Sequence, residues 1–160
     1  MKASPENESD LIARLSAERE ITRLIATYCH LLDSGKFDAV ARLLQHATFD
    51  VSGSTVEGQA AIAQYLDAGI QRHDDGTPRT WHVVSNILID VDLEQDSATS
   101  TSYFTVHQEL PGLPLQAICT GHYRDSFARH EGGWRFVRRA VSAHLIGNLA
   151  FHVASQDRAS

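Results

Sequence analysis

From Arg79 to Leu145 the chain keeps an alternation of period two through four long runs broken only by short turns, and this constrains its fold more than any other feature. The runs are Arg79 to Leu93, Ser97 to Leu110, Leu115 to Arg129 and Trp134 to Leu145. Between them stand Glu94-Gln95-Asp96, Pro111-Gly112-Leu113-Pro114 and His130-Glu131-Gly132-Gly133, segments too short for a crossover, so consecutive strands are predicted to be antiparallel neighbours. Strands of this length must twist and curl, and a curled sheet needs something to cover one face.

The cover is supplied by what precedes it. Leu11, Ile12, Leu15, Ile21, Leu24, Ile25, Tyr28, Leu31 and Leu32 recur at three- and four-residue intervals, the stripe of one helix, and Ser34-Gly35 provides its stop. A short helix follows with Phe37, Val40, Leu43 and Leu44 inward. Thr48 to Ser52 and Ser54 to Gly58 read as a hairpin, and Gln59 to about Ile70 as a helix before the turn-rich His73 to Pro78 loop. The predicted architecture is α+β: N-terminal helices over a cone-shaped, curved antiparallel sheet that encloses an apolar pocket. One domain is expected over residues 9–145, with a polar leader before it (1–8) and an apolar tail after it (146–160) that either closes the cone or crosses to a neighbour.

Composition narrows the partners. With 42% hydrophobic and 21% charged residues the chain is an ordinary globular protein, and a net charge of −6 gives no general attraction for phosphate backbones, so nucleic acid is not expected. No apolar run approaches the roughly 20 residues of a membrane span, and the start lacks the apolar stretch of a signal peptide, so no membrane is expected and the default compartment is the cytoplasm. Cys29 and Cys119 stand far apart without a second cysteine at metal or redox spacing and read as reduced thiols. The nine histidines fit no metal-binding spacing, and no phosphate loop, nucleophile elbow or dinucleotide fingerprint is present, so neither metal nor cofactor is expected.

Three residues carry candidate chemistry: Tyr28 and Asp33 late in the first helix and His82 early in the first long strand. A carboxylate accepting from one imidazole nitrogen fixes the tautomer and raises the basicity of the other, which would make His82 a proton acceptor oriented by Asp33. Tyr28 could then donate to an oxygen where negative charge develops. Five residues along a regular helix turn through about 500°, however, leaving Tyr28 and Asp33 about 140° apart, and they converge only if the helix loosens before Gly35. The alternative is that Tyr28 belongs to the core, Asp33 serves the helix end and His82 is a satisfied strand histidine. His107 and Tyr103 share a strand parity and either both face the pocket, binding a substrate oxygen, or both face out. Asn86 shares parity with His82 and either donates to a carbonyl or is a structural amide. Arg139 pairs with a substrate carboxylate or with Asp125.

The order Tyr28-(x)4-Asp33, Phe37-Asp38, Leu43-Leu44, Thr48-Phe49-Asp50-Val51, Gly58-(x)3-Ile62, His82-Val83-Val84-Ser85-Asn86, Gly121-His122-Tyr123-Arg124-Asp125 and Gly133-Trp134-Arg135-Phe136 resembles the SnoaL-like branch of the nuclear-transport-factor-2-like superfamily. The resemblance implies a cystatin-like α+β barrel. It also implies kinship with cofactor-free lyases and isomerases such as scytalone dehydratase, a bile-acid dehydratase, lindane dehydrochlorinase and, more distantly, ketosteroid isomerase and polyketide cyclases. In the dehydratase members an Asp–His pair transfers the proton, and the matching positions here are Asp33 and His82. Tyr28 matches the tyrosine of the bile-acid enzyme, and His107 matches by spacing a second histidine of scytalone dehydratase. The expected function is therefore a dehydratase-like lyase or isomerase acting on a small hydrophobic, cyclic, oxygenated molecule. The same superfamily contains inert subunits and binding modules, so a non-catalytic ligand-binding or subunit-like role is the second expectation. Apolar residues on the outer sheet face would favour a homodimer or homotrimer.

Overall fold

The computed structural model describes residues 7–154; most of the leader and the end of the tail lie outside the described residues. The helices are α1 (Glu8–Asp33), α2 (Phe37–Leu43) and α3 (Gln59–Gly69). The strands are β1 (Thr48–Val51), β2 (Ser54–Glu57), β3 (Thr80–Asp92), β4 (Ser97–Leu110), β5 (Leu113–His130) and β6 (Gly133–Ile146). Helix α1 begins earlier than its apolar stripe because the Asn7 side chain accepts from the Asp10 amide at 2.9 Å, with Glu8 and Asp10 at the positive helix end. No helix among the described residues is long and apolar enough to cross a membrane.

One six-stranded curved sheet runs in the order β2-β1-β6-β5-β4-β3. The meander from β3 to β6 is antiparallel throughout, and the β1–β2 hairpin joins its far side through β1, which lies parallel to β6 in the register Phe49↔Arg139. The sheet is therefore mixed, not purely antiparallel, and β3 is one of its edges.

Even-numbered residues of β4 face the helices: Ala98, Ser100, Ser102, Phe104, Val106 and Gln108 are all buried. They meet Tyr123, Asp125 and Phe127 of β5, Phe136 and Arg139 of β6, and the buried faces of α1 (Ile21, Ile25, Tyr28, Leu32), α2 (Phe37, Val40) and α3 (Ile62, Leu66). Phe104 stacks on Tyr123 at 4.6 Å between ring centres. Gly121 is required where β5 bends against β6: a Cβ there would lie 2.1 Å from the Ser142 carbonyl oxygen.

The stripe on α1 is only partly used. From Ile21 onward it is buried, or half-buried at Leu24 and Leu31, but Leu11, Ile12 and Leu15 are exposed. A helix of 26 residues is about 39 Å long. Its first turns overrun the sheet it covers, and the Arg14 guanidinium, donating to the Val91 carbonyl at 2.5 Å, marks where β3 ends beneath it.

The tail folds back on its own chain. Val153 bridges to Ile70, the Ala154 amide donates to the Gly69 carbonyl at 3.0 Å, and the Gln71 amide donates to the His152 carbonyl at 2.8 Å. Residues 152–154 thus lie against the segment that follows α3.

Candidate functional site

Helix α1 remains regular to its last residue. The Ser34 amide donates to the His30 carbonyl at 3.1 Å, and the Lys36 amide reaches the Leu31 carbonyl at 3.0 Å, with Gly35 at φ +68°. A side chain at position 35 would strike the Gly76 carbonyl, so the helix stop and the loop before β3 are in direct contact. This contact brings Asp33 to the first residues of β3.

Three groups then donate to one carboxylate. Thr80 Oγ1 donates to Asp33 Oδ1 at 2.8 Å, the His82 backbone amide to Oδ2 at 2.9 Å, and His82 Nδ1 to Oδ1 at 2.5 Å. Both side chains are largely buried, His82 at 6% and Asp33 at 17% exposure. Burial works to raise the carboxyl pKa, but the hydrogen bonds from His82 and Thr80 and the attraction of the imidazole outweigh it and hold Asp33 below its ordinary value. Asp33 is thus an anion that cannot rotate, and an imidazole donating through Nδ1 keeps the lone pair of its neutral form on Nε2.

The pair borders a cavity of about 910 Å³. Ile25, Ala26 and Cys29 of α1 form one wall, and Thr80, His82, Val84 and Ile87 of β3 with Gln108 of β4 form the other. Because β3 is an edge, the cavity continues round it to Trp81, Val83, His107 and Leu115 of the opposite face. Bulky side chains do not plug it: Phe104 and Trp134 are in the core, and Trp81 is 70% exposed at the rim. Cys29 and Cys119 are both free thiols, and burial pushes Cys29 up to about 11, so it faces the cavity as a thiol.

The other candidates are placed elsewhere. Tyr28 is absent from the cavity wall, since regular α1 turns it away from Asp33 into the core. There its ring covers the Arg139 guanidinium at 3.9 Å, and burial pushes its phenol up to about 12. Arg139 is fully buried, donates to Asp125 Oδ2 at 3.1 Å and also lies against the Tyr123 ring at 3.8 Å, so it meets Asp125 and not the cavity. Tyr103 and His107 do share a face, but it is the outward one: Tyr103 is 58% exposed opposite His122, and His107 stands opposite Trp81 at the cavity's outer rim. Asn86 lies in a bulge between Ser85 and Leu88 at φ +52°, exposed and off the wall. The bulge breaks the parity that linked it to His82, and Ile87 takes the inward position instead.

Thr80, Gln108 and His152 were not anticipated. Thr80 has the parity of His82, and Gln108 that of Phe104 and Val106, so a correct choice of inner face would have found both. His152 had no periodic signal. It sits in the folded-back tail, with Nδ1 buried and unpartnered among the described residues. Burial, aided by His82 and His73 and opposed by Asp33, lowers its pKa from 6.5 to about 4. The unfolded chain therefore takes up this proton first as the pH falls. The stability held by neutral His152 is complete above pH 6.5 and is lost on the way down to pH 4, by about 3 kcal/mol. Urea unfolding at pH 7.5, 6, 5 and 4 should show this loss, and a His152→Phe variant should show a flatter decline; parallel curves would refute it.

Comparison with known proteins bears on the family and the fold. The SnoaL-like domain family matches residues 13–140. No curated protein matches the chain. Among solved structures, an NTF2-like protein with a cystatin-like fold from Novosphingobium aromaticivorans is 28% identical over 88% of this chain and 92% of its own, with a TM-score of 0.69. A candidate scytalone dehydratase from the same organism is 21% identical over 92% of this chain and 97% of its own, with a TM-score of 0.66. ActVI-ORFA from Streptomyces coelicolor is 18% identical over 79% of this chain and 96% of its own, with a TM-score of 0.64. With the family matched across most of its length and the cystatin-like fold shared, the chain belongs to the SnoaL-like domain family.

Proposed function

We propose that this chain is a dehydratase-like lyase or isomerase that moves a proton on a small hydrophobic, cyclic, oxygenated molecule. The observation that carries the reading is the Asp33 carboxylate held by three donors, one of them His82 Nδ1, beside a cavity whose lining mixes polar groups with Ile25, Cys29, Val84 and Ile87. His82 Nε2 takes a proton from a carbon next to an activating carbonyl, and Asp33 stabilises the imidazolium that forms. The proton then returns to a departing hydroxyl, giving water and an alkene, or to another carbon, giving an isomer. Neither route needs electrons from outside. Likeness to a candidate scytalone dehydratase supports the dehydratase form of the reaction.

The test is proton exchange. The α-protons of 1-tetralone and 1-decalone are followed by NMR in heavy water with wild type and His82→Ala. Wild type should accelerate exchange, and the variant should lose at least about 100-fold of that acceleration while keeping its fold. Equal rates in the two proteins, or ketones that bind without exchanging faster than in buffer, would leave the non-catalytic binding role in its place.

A further inference from the structure

With Tyr28 turned into the core, the cavity lacks the donor expected for a substrate oxygen, and the hydroxyls and side-chain amide of its wall are already committed. Thr22 donates to the Glu18 carbonyl at 2.7 Å, Ser34 to the His30 carbonyl at 2.7 Å, Thr77 to Asp75 at 2.8 Å and Thr80 to Asp33. Both amide hydrogens of Gln108 are used by the Pro78 and Phe151 carbonyls. Cys29 offers only a weakly donating thiol.

The backbone of β3 offers a stronger donor. Thr80, Trp81, His82, Val83 and Val84 all line the cavity, although successive side chains of a strand point to opposite faces, so the cavity wraps the free edge of β3. Such an edge presents unpaired amides and carbonyls. In an antiparallel ladder, opposed residues alternate between pairs that exchange both hydrogen bonds and pairs whose amides and carbonyls point away from each other. Two contacts fix which are which. The His82 amide donates to Asp33 Oδ2 at 2.9 Å, so His82, opposite Val106, points outward, and two residues on Val84, opposite Phe104, does the same. The far end of the strand agrees: beyond the bulge Val91 stands opposite Ala98, another even-numbered residue of β4, and its carbonyl accepts from Arg14 at 2.5 Å. Asp33 thus closes the edge at His82 and Arg14 closes it at Val91. No side chain among the described residues takes the Val84 amide between them.

We propose that the Val84 backbone N–H is the oxyanion donor of this site, holding the substrate oxygen on which negative charge collects while His82 removes a proton from the adjacent carbon. The proposal rests on the reading of His82 as the base. The C–H bond breaks toward His82 Nε2, its electron pair becomes the new C=C bond, and the carbonyl π pair moves onto the oxygen that Val84 N–H holds. Return of the proton to the product restores the neutral imidazole. An amide fixed in a sheet needs no reorganisation as the charge develops, which is what makes such donors effective. It is also the next outward amide after that of His82, so the Asp33 contact that orients the base sets the place of the donor as well. The substrate class is accordingly a ketone or enone with a removable hydrogen beside its carbonyl, since an alcohol or amine alone gives no oxyanion to hold.

The test deletes this one hydrogen. Replacing Val84 by its α-hydroxy acid, 2-hydroxyisovalerate, turns the amide into an ester and keeps the side chain, and no ladder bond is lost because the N–H points outward. Exchange of the 1-tetralone α-protons in heavy water should slow by about 100-fold, while tetralin binds within about twofold of its wild-type affinity. A second measurement uses wild type alone and so is indifferent to the folding of the variant. In proton–nitrogen correlation spectra the Val84 amide proton should move downfield with 1-naphthol, a mimic of the enolic oxygen, and not with naphthalene. A slowing of less than about tenfold in the folded ester variant, or a Val84 resonance that 1-naphthol moves no further than naphthalene does, would overturn the donor. Failure of the His82 reading looks different, since 1-naphthol would still move Val84 while His82→Ala left proton exchange unchanged.

Discussion

Asp33→Asn is expected to slow the proton exchange assigned to His82 by about 10³-fold, a loss as large as that from removing the imidazole itself. The substitution keeps the shape of the side chain and reverses what it says to the ring. Asp33 accepts from Thr80, from the His82 amide and from His82 Nδ1, and it is a carboxylate because those donors hold its pKa down against burial. An asparagine has one acceptor oxygen for three donors. Either its NH2 faces His82 and the ring must present a lone pair at Nδ1, putting the hydrogen on Nε2, or the NH2 opposes the His82 amide. The first outcome removes the basic nitrogen from the cavity; the second strands a backbone donor. Both also deprive the imidazolium of its counter-charge. The double variant Asp33→Asn/His82→Ala should be no slower than either single one, because the two residues act as a unit. Circular dichroism and thermal unfolding establish that the variants are folded. A fall of less than tenfold in a folded Asp33→Asn protein would show that Asp33 serves only the helix end.

How far this site was readable depends on which kind of information each residue carries. The meander was legible because period two persists from Thr80 to Ile146 with only short turns, and Ser97–Leu110 is a strand over the range its alternation marks. The pairing of Asp33 with His82 was legible as a possibility from the resemblance, yet its geometry depends on the contact of Gly35 with Gly76, which no pattern announces. Facing was not legible. Tyr103 and His107 could be placed on one face by parity but not on the inner one, although Phe104 and Val106 between them are the apolar pair that the core selects. Asn86 failed for a different reason: a bulge adds one residue and inverts the parity beyond it, and Asn86, a residue type that tolerates the left-handed region, is where β3 places that residue. The parallel β1–β6 joint and the position of His152 are long-range matters, fixed by how the ends of the chain return to the sheet. Tyr28 was held back by its own helix, whose regularity to Asp33 keeps the two side chains apart.

Asp125→Ala should destabilise the fold by about 3–5 kcal/mol, the largest loss expected from any single polar substitution in the chain. Arg139 is fully buried and donates to one carboxylate oxygen, Asp125 Oδ2 at 3.1 Å. Its Nε and Nη2 have no acceptor among the described residues, so the faces of Tyr28 and Tyr123, 3.9 and 3.8 Å from the guanidinium carbon, supply the remaining stabilisation of the charge. Burial pushes Asp125 up to about 6 even against the pull of Arg139, which shows how strongly this place resists charge. Removing the carboxylate leaves an arginine that cannot lose its proton with only the rings of Tyr28, Tyr123 and, at 5.2 Å, Phe136 around its charge. Replacing both partners by apolar side chains of similar volume, Asp125→Leu with Arg139→Met, should recover most of the loss, since it removes the need to bury any charge. Denaturant unfolding of wild type, Asp125→Ala and the double variant decides the matter. A single variant that costs less than about 1 kcal/mol, or a double variant no more stable than the single one, would mean that the tyrosine faces and not the carboxylate are what make a buried Arg139 tolerable.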